Sequence, residues 1–245
     1  MAAIPAENLR RIPSRERLIF ALDVPDLDAA KALVRQLGDT VLFYKIGLEL
    51  ATSGHYFELM RWLVDQDKKV FADLKLYDIP ATVAAAVRQL ARTGASFLTV
   101  HGDRAIMGAA TAEKGPRLKV LAVTVLTSLA QSDLEAMGIG LSLPALVELR
   151  ARHAAEAGCD GVIASGLEAA RLRNVLGEER LIVTPGIRPA GAAGRDDQRR
   201  VVTPTSAFEA GADYIVVGRP IRDAADPNHA AAAIQTEIAA VFDER

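Results

Sequence analysis

Short runs of β-branched and apolar residues recur along the chain, and alanine-rich stretches stand between them. The runs are LIFALDV (18–24), VLFYKIG (41–47), KVFADLKL (69–76), SFLTVHG (96–102), KVLAVTVLT (119–127), GVIAS (161–165), LIVTPGI (181–187) and YIVVGRP (214–220). Each reads as a strand. In intervening segments such as DLDAAKALVRQLG, TVAAAVRQLARTG and LPALVELRARHAAEAG, apolar residues recur at three and four positions and a glycine closes the stretch, the mark of an amphipathic helix. Strict alternation of strand and helix implies parallel strands joined by right-handed crossovers. Eight such units in about 230 residues predict an α/β fold of the (β/α)8, or TIM barrel, type. An open doubly wound sheet is the poorer match, because it usually has five or six strands and no GxGxxG turn follows the first strand here. No break in composition marks a linker, so the expectation is a polar N-terminal arm over 1–17 and one barrel domain over 18–245.

One run departs from the apolar pattern. FADLKLYDIP, residues 71–80, carries Asp73, Lys75 and Asp78 where a buried strand is expected. Side chains alternate along a strand, so Asp73 and Lys75 share a face, which Phe71 can share further down. Opposite charges side by side offset each other's desolvation, either as a structural ion pair or as a prepared electrostatic site. Barrel enzymes place their sites at the C-terminal ends of the strands. Polar residues gather at those ends: Asp23 closes the first strand, Lys45 the second, Asp73 and Lys75 the third, His101 the fourth and Thr127 the fifth, while Arg188 follows the seventh and Arg219 the eighth.

Composition narrows the chemistry. With 245 residues, half of them apolar, the chain can bury a large core, and its formal charge of -2 offers no basic excess for nucleic acid or an anionic membrane. A single cysteine, Cys159, excludes an intramolecular disulfide and a multi-cysteine metal site, and fits a reducing cytoplasm. The histidines at 55, 101, 153 and 229 show no metal-ligand spacing. Neither a signal-length apolar run at the N-terminus nor a membrane-length run further on is present, so a soluble, cytoplasmic protein is expected.

DLKLYDIPAT fits the pattern Asp-x-Lys-x-x-Asp-Ile-Pro-x-Thr, and ALDV, YKIG, LTS, TPGIR and VVGR follow in a matching order from Leu18 to Phe242. In these motifs the chain resembles the orotidine 5′-phosphate decarboxylase family. The resemblance implies cofactor-free, metal-free conversion of orotidine 5′-monophosphate to UMP in pyrimidine synthesis. Carried over residue by residue, Lys75 is the proton donor within a charge network of Lys45, Asp73, Lys75 and Asp78. Asp23 binds the ribose hydroxyls with Lys45, Thr127 contacts the pyrimidine, and Arg188, Gln198, Gly218 and Arg219 hold the phosphate. Gln198 is placed by its distance from Arg188 within PAGAAGRDDQRR. Asp78 and Thr82 reach a neighbouring subunit's site in that family, which implies a homodimer with shared sites.

Simpler readings stand beside these. Asp78 could serve as a helix N-terminal acid before Pro80. The tract 191–200 could be a solvated loop or a phosphate-side lid with Gly191 and Gly194 permitting movement. His101 suits a satisfied strand-end residue as well as a substrate contact and stays outside the proposed site. Related barrel enzymes share the core Asp-x-Lys-x-x-Asp and act on keto-sugar phosphates through Mg2+, with an acidic metal ligand at the end of the second strand. Lys45 occupies that position here and would repel a cation.

Overall fold

A computed structural model describes residues 12–101, 103–189 and 202–242. Eight parallel strands close into a barrel in sequence order: β1 (Leu18–Ala21), β2 (Phe43–Ile46), β3 (Lys69–Leu76), β4 (Phe97–Val100), β5 (Lys119–Val123), β6 (Gly161–Ile163), β7 (Leu181–Thr184) and β8 (Tyr214–Val217). The seam is made by β1 and β8, with Leu18 opposite Ile215 and Ile19 opposite Val216. Every one of the eight predicted runs contains a strand, but all except the third stop short of their predicted C-terminal ends. The trailing residues lead into loops that carry Asp23, Thr127 and Arg188, while Lys45, Asp73 and Lys75 stand on the strands themselves.

The helices follow the predicted periodicity. Leu27–Leu37 buries Ala30, Val34 and Leu37, which lie along one stripe. The Asp26 carboxylate caps its start by accepting the Ala29 N–H at 2.9 Å, and Gly38, at φ 52°, ends it in a backbone conformation that glycine adopts at little cost. Such helices pack outside the strands and give the larger of two cores. The smaller lies inside the barrel, where Ile19, Phe43, Phe71, Phe97, Leu121, Leu181, Val183, Tyr214 and Val216 point inward. Four aromatic rings interlock there, with the Phe97 centroid 4.9 Å from Phe43, 5.2 Å from Tyr214 and 5.9 Å from Phe71. This is a packed floor, so the cavity above it has no opening through the barrel.

Of the arm expected over 1–17, residues 12–17 are described, and they dock onto the barrel. Ile12 packs against the inner core, Arg17 donates from Nη1 to the Asp213 carbonyl at 3.0 Å, and its guanidinium sits 3.8 Å from the Phe242 ring centroid.

Candidate active site

The inward face of each strand changes character along its length, because alternate residues share that face. Ile19 and Ala21 lead to Asp23, Phe43 leads to Lys45, Phe71 leads to Asp73 and Lys75, and Phe97 leads to Thr99. The result is a cavity of about 490 Å³ at the C-terminal ends of the strands, above the aromatic floor.

Four charges stand in a row on one wall. Lys45 Nζ donates to Asp23 Oδ1 at 3.0 Å and lies 3.5 Å from Asp73 Oδ2, to which Lys75 Nζ also donates at 2.8 Å. Gly47 makes room for this row: a Cβ there would sit 3.3 Å from Lys45 Nζ and 3.5 Å from Asp23 Oδ1. The Lys45 and Asp73 side chains are each only 13% exposed, so desolvation is the largest single influence on both. It works against charge. For Lys45 the Asp73 and Asp23 carboxylates outweigh it and hold the ammonium above its ordinary value; for Asp73 the Lys45 and Lys75 charges, with hydrogen bonds from Lys75 and Thr99, hold the carboxyl below its own. Both therefore stay ionised at neutral pH.

Lys75 does not reach the cavity by alternation alone. Ala72 pairs with Leu98 and Leu76 with Val100, so β3 advances four residues while β4 advances two. The excess is taken up in a bulge in which Lys75 adopts φ 47°, a left-handed conformation that costs a residue with a side chain about 1–3 kcal/mol. Its backbone N–H bonds to the Thr99 hydroxyl at 2.9 Å instead of joining the ladder.

The rest of the cavity lining includes Thr127, on the loop after β5, Arg188, which follows β7 and the turn at Gly186 (φ 77°), and Gly218 and Arg219 at the end of β8, the strand beside β1. Arginines beside strand-end glycines suit a phosphate, since backbone can approach closely and the guanidinium forks match its oxygens. The structure thus brings together Asp23, Lys45, Asp73, Lys75, Thr127, Arg188, Gly218 and Arg219. Gln198 and the tract 191–200 lie outside the described residues.

Asp78 and Thr82 are not brought into this cavity. Both are exposed, on and just after the turn into the helix Pro80–Leu90, and Asp78 Oδ1 accepts the Ile79 N–H at 2.6 Å. The helix-capping reading of Asp78 is not realised, because Ile79 is the cap residue and no side chain caps this helix. His101 lines a neighbouring cavity of about 520 Å³ with Tyr77 and Arg150, its ring edge-on to Tyr77 at 5.7 Å. Burial, Arg150 and Lys75 all lower its pKa, so it is neutral at neutral pH.

Reasoning from sequence missed two residues of the site. Thr99 shares the inward face of β4 with Phe97, a parity readable in SFLTVHG once the strand is placed. Arg222, three residues after Arg219, lines the cavity and donates from Nη1 to the Asp23 carbonyl at 2.9 Å.

Known proteins resemble this chain in sequence and in architecture. The model of the orotidine 5′-phosphate decarboxylase / HUMPS family matches residues 16–234. A protein of Methylococcus capsulatus named orotidine 5′-phosphate decarboxylase is 56% identical over 231 residues, covering 94% of this chain and 95% of that protein. One of the same name from Rhodopseudomonas palustris is 55% identical over 230 residues, covering 94% and 96%. Among solved structures, the orotidine 5′-phosphate decarboxylase of Lactobacillus acidophilus superposes with a TM-score of 0.80 at 36% identity, over 91% of this chain and 99% of that one. That of Pyrococcus horikoshii gives 0.73 at 28% identity, over 90% and 98%. The match runs through nearly the whole of both partners in each case, and the chain belongs to the orotidine 5′-phosphate decarboxylase family.

Proposed function

We propose that the row Asp23–Lys45–Asp73–Lys75 is the catalytic wall of a decarboxylase and that the arginine side of the cavity holds its substrate's phosphate. The chain converts orotidine 5′-monophosphate to UMP in pyrimidine biosynthesis. Cleavage of the C6–carboxylate bond leaves an electron pair on C6, in the ring plane and without a conjugated sink. Lys75 stabilises that pair by its charge and then donates an Nζ proton to C6, becoming a neutral amine that solvent reprotonates. Asp73 aims this ammonium through the 2.8 Å contact, and Lys45, 3.5 Å from the same carboxylate oxygen, helps keep Asp73 ionised.

Magnitude assigns the other residues their part. A cation about 4 Å from a developing charge supplies roughly 4 kcal/mol at an effective dielectric near 20. A slow loss of CO2 needs a barrier lowering toward the upper end of about 8–23 kcal/mol. Remote binding must supply much of the difference, and Arg188, Gln198, Gly218 and Arg219 gripping the phosphate are its natural source. Asp23 and Lys45 take the ribose hydroxyls and Thr127 the pyrimidine. Asp78 and Thr82 complete the site of a second copy in a homodimer. Their exposure supports this, as does that of the flanking Tyr77 (68%) and Ile79 (67%), two large apolar groups left in water by the single chain. A cytoplasmic setting accords with the lone buried Cys159. Among the described residues no helix is long and apolar enough to cross a membrane.

The observation that carries the reading is the bonded Asp–Lys–Asp–Lys row at the mouth of the barrel. Its test is the absorbance change of orotidine 5′-monophosphate with purified protein in EDTA. Turnover is expected to persist under chelation, and Lys75→Ala to lower kcat on the order of 1,000-fold or more. Near-normal kcat in that variant would remove Lys75 from the mechanism. Activity lost to EDTA and restored by Mg2+ would favour the keto-sugar phosphate chemistry instead.

A further inference from the structure

Thr99 is fully buried, and its hydroxyl is committed on both sides. The oxygen accepts the backbone N–H of Lys75 at 2.9 Å, and the hydroxyl proton goes to Asp73 Oδ1 at 2.8 Å. A hydroxyl has one proton to give. With an amide N–H on one side and an ionised carboxylate on the other, only this direction is possible. Occupying Oδ1 in this way leaves Oδ2 to face the two ammonium groups, Lys75 at 2.8 Å and Lys45 at 3.5 Å. The same hydroxyl ties down the backbone of Lys75 where the β3–β4 register is interrupted and where that residue holds its left-handed φ of 47°.

We propose that Thr99 is a positioning residue for the decarboxylation: through one hydroxyl it sets the plane of the Asp73 carboxylate and clamps the bulge that aims Lys75. The inference rests on the reading of Lys75 as proton donor. Both bonds run to groups that flank the reacting carbon in that reading, one to the acid that orients the ammonium and one to the backbone that carries it. Misplacing a reacting group by about 1 Å can cost on the order of 100-fold in rate.

Thr99→Val keeps the shape and removes both bonds, whereas Thr99→Ser keeps the hydroxyl. In Thr99→Val, kcat should fall by roughly 10- to 100-fold with KM within about threefold, while Thr99→Ser should stay within about threefold of wild type in both. A residue that merely fills space would not separate kcat from KM in this way, and serine would not rescue it. Thermal melts accompany each assay. If the valine variant does not fold, Thr99→Cys, a near-isostere with a weak donor, takes its place with the same expected direction. The inference is overturned if a folded valine or cysteine variant keeps wild-type kcat, if serine loses as much as valine, or if KM alone rises. Lys75→Ala is measured alongside. Should it stay active, the proton-donor reading fails and this inference with it; should it be inactive while Thr99→Val is normal, only the role of Thr99 fails.

Discussion

At the scale of single residues, the site keeps charge where burial opposes it. Lys45 and Asp73 are kept ionised by each other and by Asp23 and Lys75 on either side, and removing one member of such a row leaves its neighbours less compensated. The pH dependence follows from Asp73. Its folded pKa lies below the ordinary 3.8, so its contribution to stability is complete well above that value and is lost as pH falls below it toward the folded pKa. Wild-type stability minus that of Asp73→Asn, from urea midpoints, should therefore decline between about pH 6 and pH 3. A difference that is flat or rises over that range would mean the carboxylate is not held ionised by its neighbours. Gly47 matters for a related reason. With 3.3 Å between its would-be Cβ and Lys45 Nζ, any side chain crowds the row at its Asp23 end.

At the scale of elements, a strand here has two jobs along its length, floor below and chemistry above, and the two are separable. Phe97 is 3% exposed and touches three other rings, while Thr99, two residues on, bonds the Asp73 carboxylate and the Lys75 backbone. Phe97→Ala should cost about 3–5 kcal/mol of stability, seen in chemical denaturation, through the cavity it opens in the inner core. A loss below about 1 kcal/mol would show that the floor collapses around the gap. The same division explains what could be read from sequence. The apolar runs were legible because burial on both faces leaves few polar positions, and KVFADLKL was placed to the residue, Lys69–Leu76. The C-terminal limits elsewhere were not, since residues such as Pro185, Gly186 and Ile187 are apolar enough to extend a run although they lie beyond the end of β7. The bulge at Lys75 was hidden as well: it arises from pairing with β4, and nothing in DLKLYDIP alone reveals the register of its neighbour.

For the whole molecule, the row of charges was recoverable from one chain's strand ends, but the place of Asp78 and Thr82 was not. They lie outside the cavity formed by their own barrel, and only the resemblance pointed them toward another copy. The shared-site homodimer can be tested by mixing. Asp78→Ala and Lys75→Ala proteins, each nearly inactive alone, should recover roughly a quarter of wild-type activity after subunit exchange, because about half the dimers are mixed and each has one unmutated site. If exchange is demonstrated and activity stays at the level of the single variants, Asp78 acts within its own chain.

The β1–β8 seam has a consequence in time. It joins Leu18 to Ile215, residues almost the whole length of the chain apart, and contacts of such separation form late because the entropy of closing the loop must be met first. Lys45, Asp73 and Lys75 all belong to the early part of the chain, whereas Arg188, Gly218 and Arg219 come with its last two strands. If those late residues hold the phosphate as proposed, a nascent or refolding chain that has formed its first strands lacks that anchor and should be inactive. On the proposed assignment of Arg188, Gly218 and Arg219 to the phosphate, activity should not precede the seating of the last strand.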